Sequence, residues 1–214
     1  MLKLATMNQR TMSRVITIAL VVLLGGTVLL FNRLADTYAN HSTTPPATTL
    51  QGTDLGKTPA PDIQLKDQNG QTVSLSQFRG QPVVLTFFDS LCPHAECPLT
   101  AQYMDATASF LGADTNKVIW LGLSMNPKDT PTTVQAFMQG NRVTFPLRYL
   151  LGTQEQLAPL WSAYHMSSVT QADGIVIHTT GVYIIDQQGR ERIFLDEGFD
   201  PKELASDLRI LLGS

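Results

Sequence analysis

Cysteine is scarce in this chain: two residues in 214, Cys92 and Cys97. Charge is scarce too. Charged side chains make up 15% of the sequence, against the usual quarter. After residue 31 there is no cluster of Lys and Arg, and the net charge is −3. Nucleic-acid binding needs a basic stripe, so that class is excluded. There is no internal repeat and no methionine-rich run, so Met104, Met125, Met138 and Met166 read as packing residues. No proline occurs between Trp161 and Asp200.

The N-terminal region lacks charge for a different reason. Residues 15–31, VITIALVVLLGGTVLLF, carry none, and Lys3, Arg10 and Arg14 precede them with no acidic residue between. At 1.5 Å per residue such a helix reaches about 25 Å, close to the thickness of a bilayer core. The basic flank predicts a cytoplasmic N-terminus, residues 1–14, and a transmembrane anchor, 15–31, in contact with membrane lipid. A cleaved signal peptide competes, but the run exceeds an ordinary h-region and no small-x-small site follows it. No cysteine lies nearby, which excludes a lipoprotein. Residues 32–58, rich in Thr, Ala and Pro, show no apolar periodicity and read as a solvated linker. The remainder, 59–214, is then an extracytoplasmic domain, where disulfides persist and a cysteine pair can cycle or bind metal.

That domain turns on Gln81–Ala101. Val83–Phe88 is an unbroken apolar, β-branched and aromatic run of the kind a buried parallel strand needs. Asp89 and Ser90 end it, and Cys92, Cys97 and Pro98 follow, with proline favoured in a helix's first turn. Both thiols therefore fall between a strand's C-terminal end and a helix N-terminus, where open α/β sheets place their chemistry and where the thiolate is favoured. A hairpin over Asp62–Leu65 and Gln71–Leu75 precedes this unit. Cys97–Leu111 predicts a helix with Leu99, Tyr103, Ala106 and Phe110 on its apolar face. Lys117–Met125 reads as a strand, Thr132–Gln139 as a helix and Phe145–Tyr149 as a short strand. Gln154–Tyr164 is helical despite Pro159. Val182–Asp186 and Arg190–Leu195 are strands, and Pro201–Leu212 is an amphipathic closing helix. Strands alternating with helices make an α/β domain, and the cysteine-bearing strand–loop–helix suggests its thioredoxin-like version.

On the residues alone, the cysteines are a structural disulfide, a redox pair or soft metal ligands. Closing so short a loop stabilises little, which disfavours the staple. His41 and His165 read as surface or filler residues. His94 is a loop residue that would supply the fourth ligand if the site were a closed zinc centre. Asp89 and Glu96 stand near the thiols; Glu96 reads as solvated, while Asp89 is placed to tune the sulfurs.

Cys92-Pro93 through Cys97-Pro98 after a hydrophobic strand resembles the metal loop of the Sco/SenC copper-chaperone family. Leu123–Pro131, LSMNPKDTP, is similar to its S-x-(D/N)-P-x-x-D-T-P segment, and HTTGVYIIDQQGR from His178 is similar to its H-(S/T)-x-x-x-Y-L-I-D-x-x-G. The likeness spans Pro59 to Leu212. It implies a thioredoxin-like domain with a peroxiredoxin-like insert, and copper, as Cu(I) or Cu(II), on Cys92, Cys97 and His178. It also implies a redox-active Cys92–Cys97 pair, and delivery of copper or reducing equivalents to the respiratory oxidase subunit carrying Cu(A). One departure is visible: four residues separate the cysteines where the family has three. That spacing resembles the bacterioferritin-comigratory peroxiredoxins, an alternative as thiol peroxidase. Here, however, Asp89 stands where those enzymes have Thr or Ser, and their late arginine is missing. A general thiol–disulfide oxidoreductase, the third reading, would carry a cis-proline before a late core strand; here His178 precedes that strand instead.

Overall fold

The structure is a computed structural model that describes residues 23–30, 49–92, 96–172 and 175–213. The chain divides into two units, Met1–Pro46 and Ala47–Ser214. In the first, residues 23–30 form a helix, α1, with Leu23, Leu24, Val28, Leu29 and Leu30 exposed. The rest of the expected anchor and most of the expected linker lie outside the described residues, as do His41 and His94. Among the described residues no helix is long and apolar enough to cross a membrane.

The second unit is built on an eight-stranded sheet in the order β1-β10-β9-β4-β5-β6-β2-β3. These strands are β1 (Thr53–Asp54), β2 (Gln64–Asp67), β3 (Thr72–Ser74), β4 (Val83–Phe88), β5 (Ile119–Ser124), β6 (Leu147–Leu151), β9 (Val182–Ile185) and β10 (Glu191–Leu195). β4, β5 and β6 run parallel, and the remaining neighbours pair antiparallel. A separate two-stranded hairpin, β7 (Ser168–Thr170) with β8 (Val176–His178), precedes β9. The linker boundary moves. β1 lies within residues assigned to the linker, yet it pairs with β10, Leu50 packs on the core, and the Gln51 N–H donates to Asp207. Domain contacts thus begin before Pro59.

All six residues of β4 are buried, because the strand is covered on both faces. Val84 and Phe88 meet α2 (Glu96–Leu111), α3 (Pro131–Gly140) and α5 (Pro201–Leu212) on one side. Val83, Leu85 and Phe87 meet α4 (Gln154–Ala163) and the β2–β3 lead-in on the other. Local chemistry sets the helix ends. Pro131 and Pro201 begin α3 and α5 behind the capping side chains of Thr130 and Asp200, and Gly213 ends α5 at φ 73°.

The face of α2 differs from the sequence expectation. Its buried residues are Cys97, Thr100, Ala101, Met104, Thr107, Ala108 and Leu111. Leu99 and Phe110 are exposed, and Tyr103 and Ala106 are only half-buried. α2 packs against α5 and the sheet, so small residues give the close approach, and the bulkier stripe is left outside. Tyr103 meets Phe199 edge-on there, and Lys202 caps the Phe110 ring.

Candidate metal centre

Three elements bring the expected residues together. β4 ends at Phe88, and the turn after it carries Cys92. Cys97 lies in the first turn of α2, and His178 ends β8. The turn is closed twice by Asp89: its carbonyl accepts from Cys92 N–H at 3.2 Å and its Oδ1 from Leu91 N–H at 2.8 Å. The Asp89 N–H in turn points at Cys97 Sγ, 3.5 Å away. No disulfide joins the two cysteines; Cys97 is 1% exposed and Cys92 half-buried.

His178 Nε2 lies 3.5 Å from Cys97 Sγ, and its Nδ1 lies 2.9 Å from the Thr179 carbonyl. A carbonyl only accepts, so Nδ1 carries the proton, and in the neutral ring Nε2 keeps its lone pair facing the sulfurs. Thr179 is fixed in turn. Its Oγ1 accepts from Ser167 N–H and donates to Met166 Sδ, tying the stretch after β8 to the one before β7. Gly181 completes this geometry, because a Cβ there would fall 2.2 Å from the Phe194 ring.

The ionisation of the three groups is interlinked. The Cys97 thiol is pushed far above its ordinary range, first by its hydrogen bond with Cys92 and then by burial, with Asp89 N–H opposing. Burial pulls the His178 pKa down, but its hydrogen bonds to Cys92 and to the Thr179 carbonyl, with the charges of Cys92 and Asp89, raise it overall. Among the described residues no group of three or more His, Cys, Asp or Glu side chains forms a preset metal cage. The thiols and the imidazole meet as hydrogen-bond partners, and the mouth beside them is a hollow of about 300 Å³ lined by Cys92, Glu96, Val176, Ile177, His178, Thr180 and Glu197.

Behind the cysteine turn lies a polar hub that the sequence displayed only as a motif. Asp129, buried, accepts from Ser90 Oγ at 2.6 Å, Ser90 N–H at 3.2 Å, Ser124 Oγ at 2.7 Å and the Tyr149 hydroxyl at 2.7 Å. Burial raises its pKa, and those hydroxyl donors oppose the rise. Asn126 Nδ2 donates to Asp89 Oδ1 at 3.1 Å. The segment Ser124–Asp129 thus holds the turn that carries Cys92. Tyr149 had no sequence signal, since its partners lie 20 and 61 residues away. Glu96 and Glu197 line the mouth, and Glu197 stands in no motif that the sequence displays. His165 lies outside the cluster, at the end of α4, where it takes φ 55°.

Residues 52–213 match the family model described as SCO1/SenC. The fold is similar to that of Bradyrhizobium japonicum ScoI with copper bound, with TM-score 0.62 and 27% identity over 72% of this chain and 99% of that one. Arabidopsis thaliana ScoI with copper bound shares the fold at TM-score 0.63 and 19% identity, over 73% of this chain and 100% of that one. Chloroplastic peroxiredoxin Q of Populus jackii is 29% identical over 157 residues, 71% of this chain and 65% of that protein. The peroxiredoxin likeness is distant, whereas the family match takes in both cysteines, the Ser124–Asp129 segment and His178: this chain belongs to the SCO1/SenC family.

Proposed function

We propose that this chain is a membrane-anchored protein whose extracytoplasmic domain carries copper on Cys92, Cys97 and His178. It hands that copper, or reducing equivalents, to the Cu(A)-bearing subunit of a respiratory oxidase. The observation that carries the reading is the His178 imidazole, with Nδ1 tied to a carbonyl and Nε2 open toward Cys97 at 3.5 Å. Two thiolates and one imidazole are soft enough to select Cu(I), and the nitrogen suits Cu(II). Copper is cargo here. The protein's part is to keep two sulfurs at one strand–helix junction, orient the imidazole through Thr179, and leave one sulfur at the mouth. Metal requires both thiols reduced. Oxidation to a disulfide removes two electrons and two protons and ejects the ion, so redox state gates loading. The copper-bound relative of similar sequence supports this reading.

Titration of the reduced domain with Cu(I) tests it. One copper per domain is expected, lost in Cys92→Ser and Cys97→Ser. One full equivalent retained by either variant would remove that residue from the site.

The relative named as a peroxiredoxin and the four-residue spacing favour a second reading, a thiol peroxidase. Cys97 has Asp89 N–H, His178 and Cys92 as partners, none of them an arginine to polarise peroxide. Hydrogen peroxide turnover abolished by Cys92→Ser and indifferent to His178→Ala would move the assignment to the peroxidase.

A further inference from the structure

Cys97 is sealed inside the domain and Cys92 lines the mouth, so metal or a disulfide exchanged with another protein passes by way of Cys92. The side chains around that mouth are the contact a partner has to make. Two kinds stand there. The first is carboxylate. Glu96 and Glu197 both line the hollow, and Glu197 is held by the Thr180 hydroxyl at 3.1 Å, two residues beyond His178. Glu197 also lines a second hollow of about 340 Å³, with Asp196 and Glu203. Among the described residues no Lys or Arg lines either one. The second kind is aliphatic. Leu91, one residue before Cys92, is 47% exposed; Ile177, beside His178 and in the mouth, is 51% exposed. Val169, the cross-strand partner of Ile177, is 63% exposed. These large side chains add nothing to the core, and they lie next to the two site residues nearest solvent.

We propose that this face docks a cationic protein, one presenting Lys or Arg around an apolar centre over its own thiol or copper site. The inference rests on the reading of Cys92 as the working thiol. An acidic rim speeds encounter with a basic surface and slows it with an acidic one, an effect that salt screens. Leu91, Ile177 and Val169 supply the dry centre that such a rim surrounds. Nucleic acids and anionic lipid headgroups are repelled by the same carboxylates.

Disulfide exchange with short peptides tests the surface without needing the natural partner. The probes are oxidised dimers of a cysteine peptide flanked by Lys and Leu, by Glu and Leu, or by Lys and Ser. The Cys92 thiolate attacks one peptide sulfur, forming a mixed disulfide and releasing one peptide thiolate. Cys97 then displaces the second peptide, leaving the Cys92–Cys97 disulfide. Two electrons pass to the probe, and the two cysteine protons end on the two peptide thiols. At low salt the Lys–Leu probe should react roughly tenfold faster than the Glu–Leu probe, and the gap should close near 1 M salt. The double variant E96Q/E197Q should close it at low salt. I177S/V169S should slow the Lys–Leu probe severalfold and leave the Lys–Ser probe unchanged. Equal rates for all three probes overturn the proposal. So does a uniform slowing of every probe in E96Q/E197Q, which would mark an effect on thiol reactivity and not on docking. Failure to exchange with any probe by a domain that still binds Cu(I) overturns it as well. A domain that prefers the Lys–Leu probe yet binds no copper upholds the docking face and removes the metal reading alone.

Discussion

His178 is tied through one nitrogen and has the other facing Cys97, so at the proposed copper site its removal should separate two copper states. A cysteine pair holds Cu(I) without help, whereas Cu(II) prefers an added nitrogen. His178→Ala should weaken Cu(II) binding by an order of magnitude or more, roughly one unit in log affinity, and Cu(I) binding much less. Competition titrations with a chelator for each ion would read this, and equal losses would remove the imidazole as a ligand. Asp207 offers a second residue-scale test. Its side chain is fully buried and, among the described residues, accepts the Gln51 backbone N–H. Burial first, with the Glu203 charge adding and the Gln51 N–H opposing, pushes its pKa up to about 6. A carboxyl with a raised folded-state pKa binds its proton more tightly in the fold. Its ionisation therefore destabilises the domain as pH climbs from the ordinary carboxylate value toward 6, and the penalty is complete above that. Asp207→Asn should stabilise the domain by about 1–2 kcal/mol at pH 7 and by almost nothing at pH 3.5. Urea midpoints at the two pH values decide it, and a variant no more stable at pH 7 contradicts the assignment.

At the scale of the element, α2 separates packing from pattern. Met104 is fully buried, while Phe110 projects outward under Lys202. Met104→Ala should cost about 2–5 kcal/mol, and Phe110→Ala less than about 1 kcal/mol. Denaturant unfolding with an unchanged m-value would measure both, and the reverse ranking would contradict the observed face. The turn between β4 and α2 makes a sharper case. Asp129 grips Ser90 on the cysteine side and Tyr149 on the far side. Tyr149→Phe removes one donor and should cost about 1–2 kcal/mol of stability, with the Cys92–Cys97 disulfide potential unmoved. Ser90→Ala should cost a similar amount and shift that potential, because the turn carrying Cys92 loses its hydroxyl tether. Glutathione-buffer titration followed by mass spectrometry distinguishes the two, and identical potentials would confine Asp129 to a structural role.

At the scale of the whole molecule, both cysteines should join reversibly on mild oxidation, since α2 brings Cys97 into hydrogen-bond contact with Cys92. Intact mass should fall by about 2 Da with loss of both reactive thiols; two thiols still free after oxidation would remove redox gating. Much of this architecture was legible in the chain. Val83–Phe88 is apolar at every position, and only a strand covered on both faces supports such a run, so the central strand and the junction behind it followed from composition. The closing helix followed from the spacing of Leu204, Leu208 and Leu211, and His178 from its flanking pattern. Tertiary structure decided the rest. The short β7–β8 hairpin that delivers His178 has three residues per strand, and its ties, His178 to Cys97 and Thr179 N–H to the Ser167 carbonyl, are ones no local periodicity encodes. The outer stripe of α2 carries a sound helical period, yet close contact with α5 selects the small residues for burial. Asp129 and Tyr149 meet only because parallel pairing sets β5 beside β6, and a hydrogen bond across that distance in sequence leaves no trace until the sheet is assembled.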